Sequence, residues 1–249
     1  MENATADPYT LTAQNVCVTK LTNPTSQPKF REETRMNSRI ALSLLAVLVL
    51  AIAPIPAIAQ QMTFTVLQYS RATFKTEAPL ETVVGTTSGP AVTGTLTGDL
   101  AKPHLATGTI KVDLSTLKTG IERRDSQLRS KDYLDTDIEA NRYAVFELRG
   151  VDIVDPLEPG KEVPAKLKGI LTIKQKPFET AADARITYVR MTPEQLESQR
   201  RFGYTSDNIR VKATFKTSFT NHGMQVPQVL FLKLSNDIQL EIDLIFARQ

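Results

Sequence analysis

The 249-residue chain has the composition of an ordinary globular protein, with 41% hydrophobic and 23% charged residues, enough for a core or a lined cavity. Its 30 Lys and Arg residues nearly balance 27 Asp and Glu residues, so a nucleic-acid role has little support. One cysteine, Cys17, and two histidines, His104 and His222, exclude an internal disulfide and a metal site built from several Cys or His residues.

Residues 36–59 carry the features of a secretory signal peptide. Arg39 supplies the positive n-region after Met36, and residues 40–53 form an apolar run shorter than the ~20 residues that span a bilayer. Ala-Ile-Ala then ends at Ala59 as a small-x-small cleavage motif. We expect cleavage after Ala59 and a periplasmic or secreted mature protein.

The polar, patternless residues 1–35 stand in front of this signal peptide, although a signal sequence normally begins a chain. We expect that translation starts at Met36 and that residues 1–35 are not translated, so that Cys17 is absent from the mature protein. The alternative is a disordered cytoplasmic tail in front of an uncleaved membrane anchor.

From Gln60 onward the hydrophobic period is two, which predicts antiparallel strands with one buried and one wet face. The clearest alternation runs over Asn208–Thr220 and over residues 238–246 at the C-terminus. The weaker predicted strands are Met62–Leu67, Leu80–Gly85, Val92–Leu100, Leu105–Leu114, Tyr143–Val154, Val163–Ile173 and Thr180–Arg190.

Two helices are predicted between the strands. Ile121–Lys131 is charged, rich in helix formers and free of Gly and Pro. The second begins at Thr192, with Pro193 in the first helical position and Gln195 able to close a capping box, and runs to about residue 201. Eight or nine short strands without a βαβ rhythm predict an all-β barrel or sandwich that forms one domain.

Several segments carry the motifs of a known family. Residues 110–120 form a strand and Gly turn that lead into RRDSQLRSKDYLD at 123–135, a helix with an acidic, aromatic exit. Residues 143–147 are similar to a P-x-A-x-F strand, residues 167–173 to a G-x-L-T-I strand, and residues 221–224 stand where DFGM is usual. In this order the segments resemble the YceI-like family of lipocalin-like, polyisoprenoid-binding proteins.

The chain also departs from the family pattern. Lys174 and Gln175 follow the G-x-L-T-I strand, where the family has His-Gly, and Asn221 and His222 replace an acid and an aromatic residue. The first strand lacks the usual histidines, and the helix that begins at Thr192 is interpreted as an insertion.

The resemblance implies a single antiparallel, lipocalin-like β-barrel over residues 60–249, with about eight strands around an apolar tunnel. It implies an isoprenoid lipid or quinone as the ligand, without a metal or other cofactor. Inward apolar residues fill a barrel more often than they line a cavity, and only the resemblance favours a cavity here. The candidate lining residues are Phe146, Leu148, Leu171, Ile186, Tyr188, Phe215, Phe219, Ile242 and Phe246.

Arg123, Arg124 and Arg129 are candidates for holding a polar headgroup at the tunnel mouth, because guanidinium groups suit phosphate oxygens. Acidic residues alternate with them, and local ion pairing on a solvated helix is the simpler interpretation. A homodimer that pairs through exposed edges or the apolar loop Val226–Leu232 is also an expectation.

We predict a binding or carrier protein without catalytic residues. An enzyme that acts on a lipid or quinone would depend on His222, but no nucleophile motif accompanies this histidine, which is predicted to lie in a turn. A structural envelope domain with a filled core is a further alternative. The alternating strands fit all three functions, and the preference for a carrier depends on the resemblance.

Overall fold

The computed structural model describes residues 61–229 and 232–249, all of which belong to one compact unit. The predicted signal peptide at 36–59, residues 1–35 and Cys17 lie outside the described residues, so the interpretations of them stay predictions. No helix within the described ranges is long and apolar enough to cross a membrane.

The described residues fold mainly into strands, as the period of two predicts. The strands are β1 Met62–Val66, β2 Arg71–Glu77, β3 Thr82–Ser88, β4 Val92–Gly98, β5 Thr107–Asp113, β6 Tyr143–Asp152, β7 Glu162–Ile173, β8 Lys176–Arg190, β9 Asp207–Ser218, β10 Gln228–Val229, β11 Leu232–Lys233 and β12 Asp237–Arg248. The helices are α1 Glu122–Arg129 and α2 Pro193–Gln199.

Eight strands close into one antiparallel barrel, in the order β1, β4, β5, β6, β7, β8, β9 and β12, and β12 returns to pair with β1. Closure leaves the ring itself without an unpaired edge, and a ring of eight encloses room for side chains or one small ligand. The predicted antiparallel barrel of about eight strands is confirmed. β2 and β3 extend the ring beside β12, and β10 and β11 form a separate small hairpin.

β1 and β2 are two parts of one long strand that is interrupted at residues 67–70. β12 pairs with β1 near its C-terminal end and with β2 through residues 239–243. In the interruption, the fully buried Ser70 hydroxyl accepts a hydrogen bond from the Ile245 amide at 3.0 Å and lies 3.4 Å from the Ile245 carbonyl oxygen. The hydroxyl therefore satisfies backbone groups of β12 where the ladder is broken.

Antiparallel neighbours alternate in direction, so the connecting loops alternate between the two ends of the barrel. The upper end carries the loops at 99–106, 153–161 and 191–206, the last of which contains α2. The lower end carries the loops at 78–81, 114–142, 174–175 and 219–236, and α1 lies in the longest of them.

All nine predicted strands are present, with ends shifted by a few residues. β2, in contrast, was not predicted. Its inward residues are Ala72, Phe74 and Thr76, of which only Phe74 is large and apolar, so the alternation in the sequence is weak. Pairing with β12 and β3, rather than local hydrophobicity, makes this segment a strand.

Both predicted helices are confirmed. α1 lies inside the predicted range Ile121–Lys131, and α2 begins after Thr192 as predicted. The Thr192 hydroxyl accepts from the Gln195 amide at 3.3 Å, and the Gln195 side chain accepts from the Thr192 amide at 3.0 Å, which completes the capping box. A 3-10 turn at Arg200–Phe202 follows, and Gly203 ends it with φ +87°.

Replacement of Ser70 by Ala should lower the free energy of unfolding by about 1–3 kcal/mol, because the buried Ile245 amide loses its partner. Urea denaturation of the purified protein measures this change. Ser88→Ala, at an exposed position, is the matched control and should shift stability by less than about 0.5 kcal/mol. Equal effects of the two substitutions would contradict the role assigned to Ser70.

Candidate functional site

The inward side chains leave three apolar cavities along the barrel axis, which we call the cavity row. The upper cavity measures about 80 Å³, the middle about 100 Å³ and the lower about 70 Å³. The upper and middle cavities share the wall residues Ile110, Phe146 and Ile242. The middle and lower cavities share Phe74, Leu114, Leu117, Ile173 and Leu240.

A phenylalanine ring separates each pair of neighbouring cavities, Phe146 the upper from the middle and Phe74 the middle from the lower, and each ring packs on a glycine. A Cβ atom on Gly169 of β7 would come within 2.7 Å of the Phe146 ring, and one on Gly85 of β3 would overlap the Phe74 ring in the same way. The absence of a side chain at each glycine therefore leaves the space that the ring occupies. Phe146 packs further against Phe215, with ring centroids 5.8 Å apart.

The cavity row is large enough for water but offers little to bind it. A water molecule needs roughly 10–15 Å³ and two to four polar partners. In the middle cavity the polar wall groups already have partners: Glu241 pairs with Lys75, and Thr87 lies 2.5 Å from Thr116. Dry voids of this kind lower stability, and packed cores contain few of them, so a row of three favours space for an apolar guest.

Eight of the nine predicted lining residues do line the cavity row. The upper cavity contacts Leu148, Ile186 and Phe246, the middle cavity contacts Leu171 and Phe215, and the lower cavity contacts Phe219. Phe146 and Ile242 stand between the upper and middle cavities. Their contact with a ligand stays a prediction.

Tyr188 is the exception, because it lines none of the three cavities. Its hydroxyl donates to Asp207 at 2.5 Å, and Arg190 and Arg248 also bond to this carboxylate. Burial, followed by the hydrogen bond to Asp207, raises the pKa of Tyr188. Strand alternation puts this ring inside the barrel, but only the tertiary structure shows that its polar end is directed to Asp207.

Other lining residues were not predicted, and they lie both on strands with weak alternation and on β9 and β12. Phe74 of β2 is one of them and lies between two cavities. The remaining ones on the first strands and the following turn include Phe64, Leu96, Ile110, Leu114 and Leu117. The alternation within β1, β4 and β5 could have identified the first three of these.

The lower cavity is covered by a lid, residues 117–142, from which Leu128, Tyr133 and Leu134 form part of the wall. The buried Asp125 accepts from the Thr119 amide at 2.7 Å and from its hydroxyl at 2.5 Å. Burial raises the pKa of Asp125, but these hydrogen bonds and two nearby arginines outweigh it and lower the pKa overall. The ionised carboxylate therefore stabilises the start of the lid.

Lys174 and Gln175 hold the end of the lid. They form the two-residue turn between β7 and β8 with φ of +50° and +60°, which costs side-chain-bearing residues about 1 kcal/mol or more each. The Lys174 ammonium donates to the carbonyl oxygens of Lys131 at 3.2 Å and Tyr133 at 2.6 Å. The side-chain amide of Gln175 donates to the side-chain oxygen of the buried Asn141 at 2.8 Å. The two residues that depart from the family pattern thus contact the lid.

The three candidate headgroup arginines also lie on the lid. Arg124 donates to Glu81 at 3.1 Å and to Thr119, and Arg129 donates to the Leu117 carbonyl oxygen at 3.2 Å. Arg123 is exposed and makes no ion pair with any residue in the described ranges. Arg129 also pairs with Glu122 of the same helix at 3.4 Å, so the local ion pairing expected as the alternative is found for this one arginine. Binding of a headgroup stays a prediction.

His222 is fully buried in the turn after β9 and lines no cavity of the row. Its Nδ1 lies 3.2 Å from the Lys176 carbonyl oxygen, which can only accept, so Nδ1 carries the proton. Its Nε2 then accepts from the Thr217 hydroxyl at 2.8 Å. Burial lowers the pKa of His222, and this ring is neutral near pH 7.

The fold and its interior correspond to a known family. A family model described as the YceI-like domain matches residues 65–246. The chain belongs to the YceI-like family. No curated protein matches it.

Solved structures with the same fold are distant in sequence. A polyisoprenoid-binding domain from Saccharophagus degradans, implicated in plant cell wall breakdown, has a TM-score of 0.55 at 11% identity, with 76% of this chain and 100% of that chain covered. BcnA of Burkholderia cenocepacia has a TM-score of 0.50 at 14% identity, with 71% and 95% covered. At these identities the similarity shows the fold alone.

Replacement of Lys174 by Asn together with Gln175 by Gly should loosen the lid without unfolding the barrel. Asn-Gly suits the turn, but the bonds to Lys131, Tyr133 and Asn141 are lost. We expect amide hydrogen exchange in residues 130–141 to rise about a hundredfold, since three bonds of about 1 kcal/mol each are lost. Gln175→Gly alone should raise the exchange rate less. An unchanged exchange rate in the double variant would show that these bonds do not hold the lid.

The buried neutral His222 should make stability fall as the pH is lowered from 7.5 to 5.5. Its pKa in the folded protein lies below its ordinary value near 6.5, so stability is complete above pH 6.5 and is lost on acidification below it. The largest loss at pH 5.5 is about 1.4 kcal/mol. Urea midpoints at both pH values measure this loss of stability. His222→Gln is the control, because glutamine does not titrate, and an equal loss in the control would contradict the prediction.

Proposed function

We propose that the mature protein is an exported, non-enzymatic carrier that holds a long-chain isoprenoid or a similar apolar lipid in the cavity row. The observation that carries this proposal is the row itself: three dry cavities in line, separated mainly by side chains that can rotate. The proposal accounts for cavities with mainly apolar walls that side chains leave incompletely filled.

The energetics of this site need no specific polar contact. Each CH₂ group removed from water contributes about 0.8 kcal/mol, so a chain of several isoprene units offsets the immobilisation of the ligand. The cavities are separate in the empty barrel, and a guest longer than one cavity requires Phe146 and Phe74 to rotate. Gly169 and Gly85, on which the two rings lie, have no side chain that would have to move with them.

Membership of the YceI-like family supports a binding protein, and the similar structure from Saccharophagus degradans is a polyisoprenoid-binding domain. The nature of the ligand is proposed by combining that relationship with the chemistry of the walls. Export follows from the predicted signal peptide at 36–59, and a homodimer stays a prediction.

A lipid-modifying enzyme is less well supported than a carrier. The candidate centre that the sequence offers is His222, which is fully buried, bonds through both ring nitrogens to the protein and contacts none of the three cavities. A general base must reach the proton that it removes, and this ring has no path to a guest in the cavity row.

Native mass spectrometry of the protein purified from its own cell envelope tests the proposal. We expect a stoichiometric lipid adduct, with an isoprenoid identified after organic extraction. Ala144→Leu should remove the adduct and raise the melting temperature of the empty protein, because Ala144 lines the middle cavity and the larger side chain fills it.

Ala181→Leu is the matched control, since it adds the same atoms at an exposed position of β8 and should leave the adduct unchanged. A mass without any adduct, with no rise in melting temperature on adding quinones or polyprenyl phosphates, would overturn the proposal in favour of a structural β-domain.

A further inference from the structure

Three charged side chains lie together on the inward face of the barrel at its upper end. Arg190 of β8 lies directly opposite Asp207 of β9, and Arg248 of β12 lies directly opposite Phe64 of β1. Residues that lie opposite each other in an antiparallel pair point to the same face. Phe64 lines the upper cavity, so Arg248 also faces inward, and it pairs with Asp207 at 3.2 Å. We call Arg190, Asp207 and Arg248 the upper charge cluster.

The upper charge cluster adjoins the upper cavity. Phe64, which lines the cavity, is a directly opposite neighbour of Arg248, and such neighbours have Cβ atoms about 5 Å apart. Phe246 lines the same cavity and lies two residues before Arg248 on the same face of β12, about 7 Å away. Ile209 lines it in the same way two residues after Asp207. The inward faces of β9 and β12 therefore change from apolar to charged at the upper rim of the cavity.

The carboxylate of the cluster is buried, and its two guanidinium groups reach solvent. The Asp207 side chain is 8% exposed, whereas that of Arg190 is 64% and that of Arg248 is 36% exposed. Burial raises the pKa of Asp207, but hydrogen bonds from the Tyr188 hydroxyl, from both arginines and from Ser206 outweigh it and lower the pKa overall. The ionised carboxylate therefore holds two accessible arginines at the rim.

Most of the donors on these arginines are not used by the protein. Arg190 donates through Nε, to Asp207 at 3.4 Å and to the Tyr188 hydroxyl at 3.0 Å, and Arg248 donates to Asp207 through Nη1 at 3.2 Å. A guanidinium group carries five N–H bonds, and the other nitrogens of both groups bond to nothing within the described ranges. One arginine is enough to neutralise Asp207, so the second leaves the cluster with an excess positive charge.

The other carboxylates near the upper end do not remove this charge. Asp99 lines the upper cavity, but its Oδ1 accepts from the Ala101 amide at 2.9 Å, and β1 separates its strand β4 from β12. Asp155 pairs with Lys161 at 3.5 Å. Across residues 61–229 and 232–249, Asp207 is the one carboxylate within ion-pair distance of either arginine of the cluster.

We propose that Arg190 and Arg248 bind the phosphate of an acidic isoprenoid headgroup, with the apolar chain extending from there into the upper cavity. Guanidinium groups match phosphate oxygens with paired N–H bonds, and the unused donors stand beside the apolar walls that would hold the chain. The inference rests on the carrier function proposed above and adds the class of guest, a polyprenyl phosphate. It also places the headgroup at the end of the barrel opposite the lid arginines.

Titration of the purified protein with geranylgeranyl phosphate and with geranylgeraniol, both below the concentration at which micelles form, tests the inference. We expect the phosphate to bind about tenfold or more tightly than the alcohol, because charge-assisted hydrogen bonds are added to the same chain. Arg190→Gln and Arg248→Gln should each lose most of this preference. Their affinity for geranylgeraniol should be unchanged, because Asp207 keeps one arginine and Tyr188 and the cavities stay intact.

Arg123→Gln is the matched control, since it removes the exposed arginine at the lower end that makes no ion pair within the described ranges. This variant should keep the full preference for the phosphate. Equal affinities of the unaltered protein for the two lipids, or a preference that is lost in Arg123→Gln and kept in the other two variants, overturns the inference. Absence of binding of both lipids counts against the carrier function instead.

Inorganic phosphate distinguishes a lipid headgroup from a free anion as the occupant of the cluster. We expect it to displace geranylgeranyl phosphate only weakly, because it lacks the chain that the cavities hold. Inorganic phosphate that binds as tightly as geranylgeranyl phosphate would assign the cluster to free phosphate and overturn the inference.

Discussion

Pairing of β12 on both of its edges is the interaction on which the rest of the molecule depends. One edge is occupied by β9 along almost the whole strand, and the other is shared by β1 and β2 on either side of an interruption. Without this second edge the eight strands would form an open sheet, and the apolar side chains would face water. The buried Ser70 hydroxyl supports the pairing, because it accepts from the Ile245 amide where the ladder is interrupted, and the Leu67 amide donates to the Ile245 carbonyl oxygen.

Closure also explains why the interior is a row of cavities rather than a filled core. Two large inward side chains lie on glycines, Phe146 on Gly169 and Phe74 on Gly85. Each ring occupies the place above a glycine and divides the space without filling it. A uniformly packed interior would be more stable, so the retained voids are consistent with binding.

The two ends of the barrel have different constructions. The lower end uses costly backbone conformations at Lys174 and Gln175 to hold a lid by hydrogen bonds, and Asp125 is buried for the same purpose. At the upper end, the loop at 153–161 bonds to β8 through the Gly160 amide, and Leu105 and Val154 are exposed.

By itself, the sequence determined the fold class, nine of the strands, both helices and eight of the residues that line the cavities, because alternation and capping are local properties of the chain. Only the tertiary structure decided the rest. β2 is a strand because β12 and β3 pair with it, Tyr188 is directed away from the cavities because Asp207 lies beside its hydroxyl, and Lys174 and Gln175 contact the lid. These features depend on partners distant in the chain, and no periodicity in the sequence records which residues a closed barrel brings together.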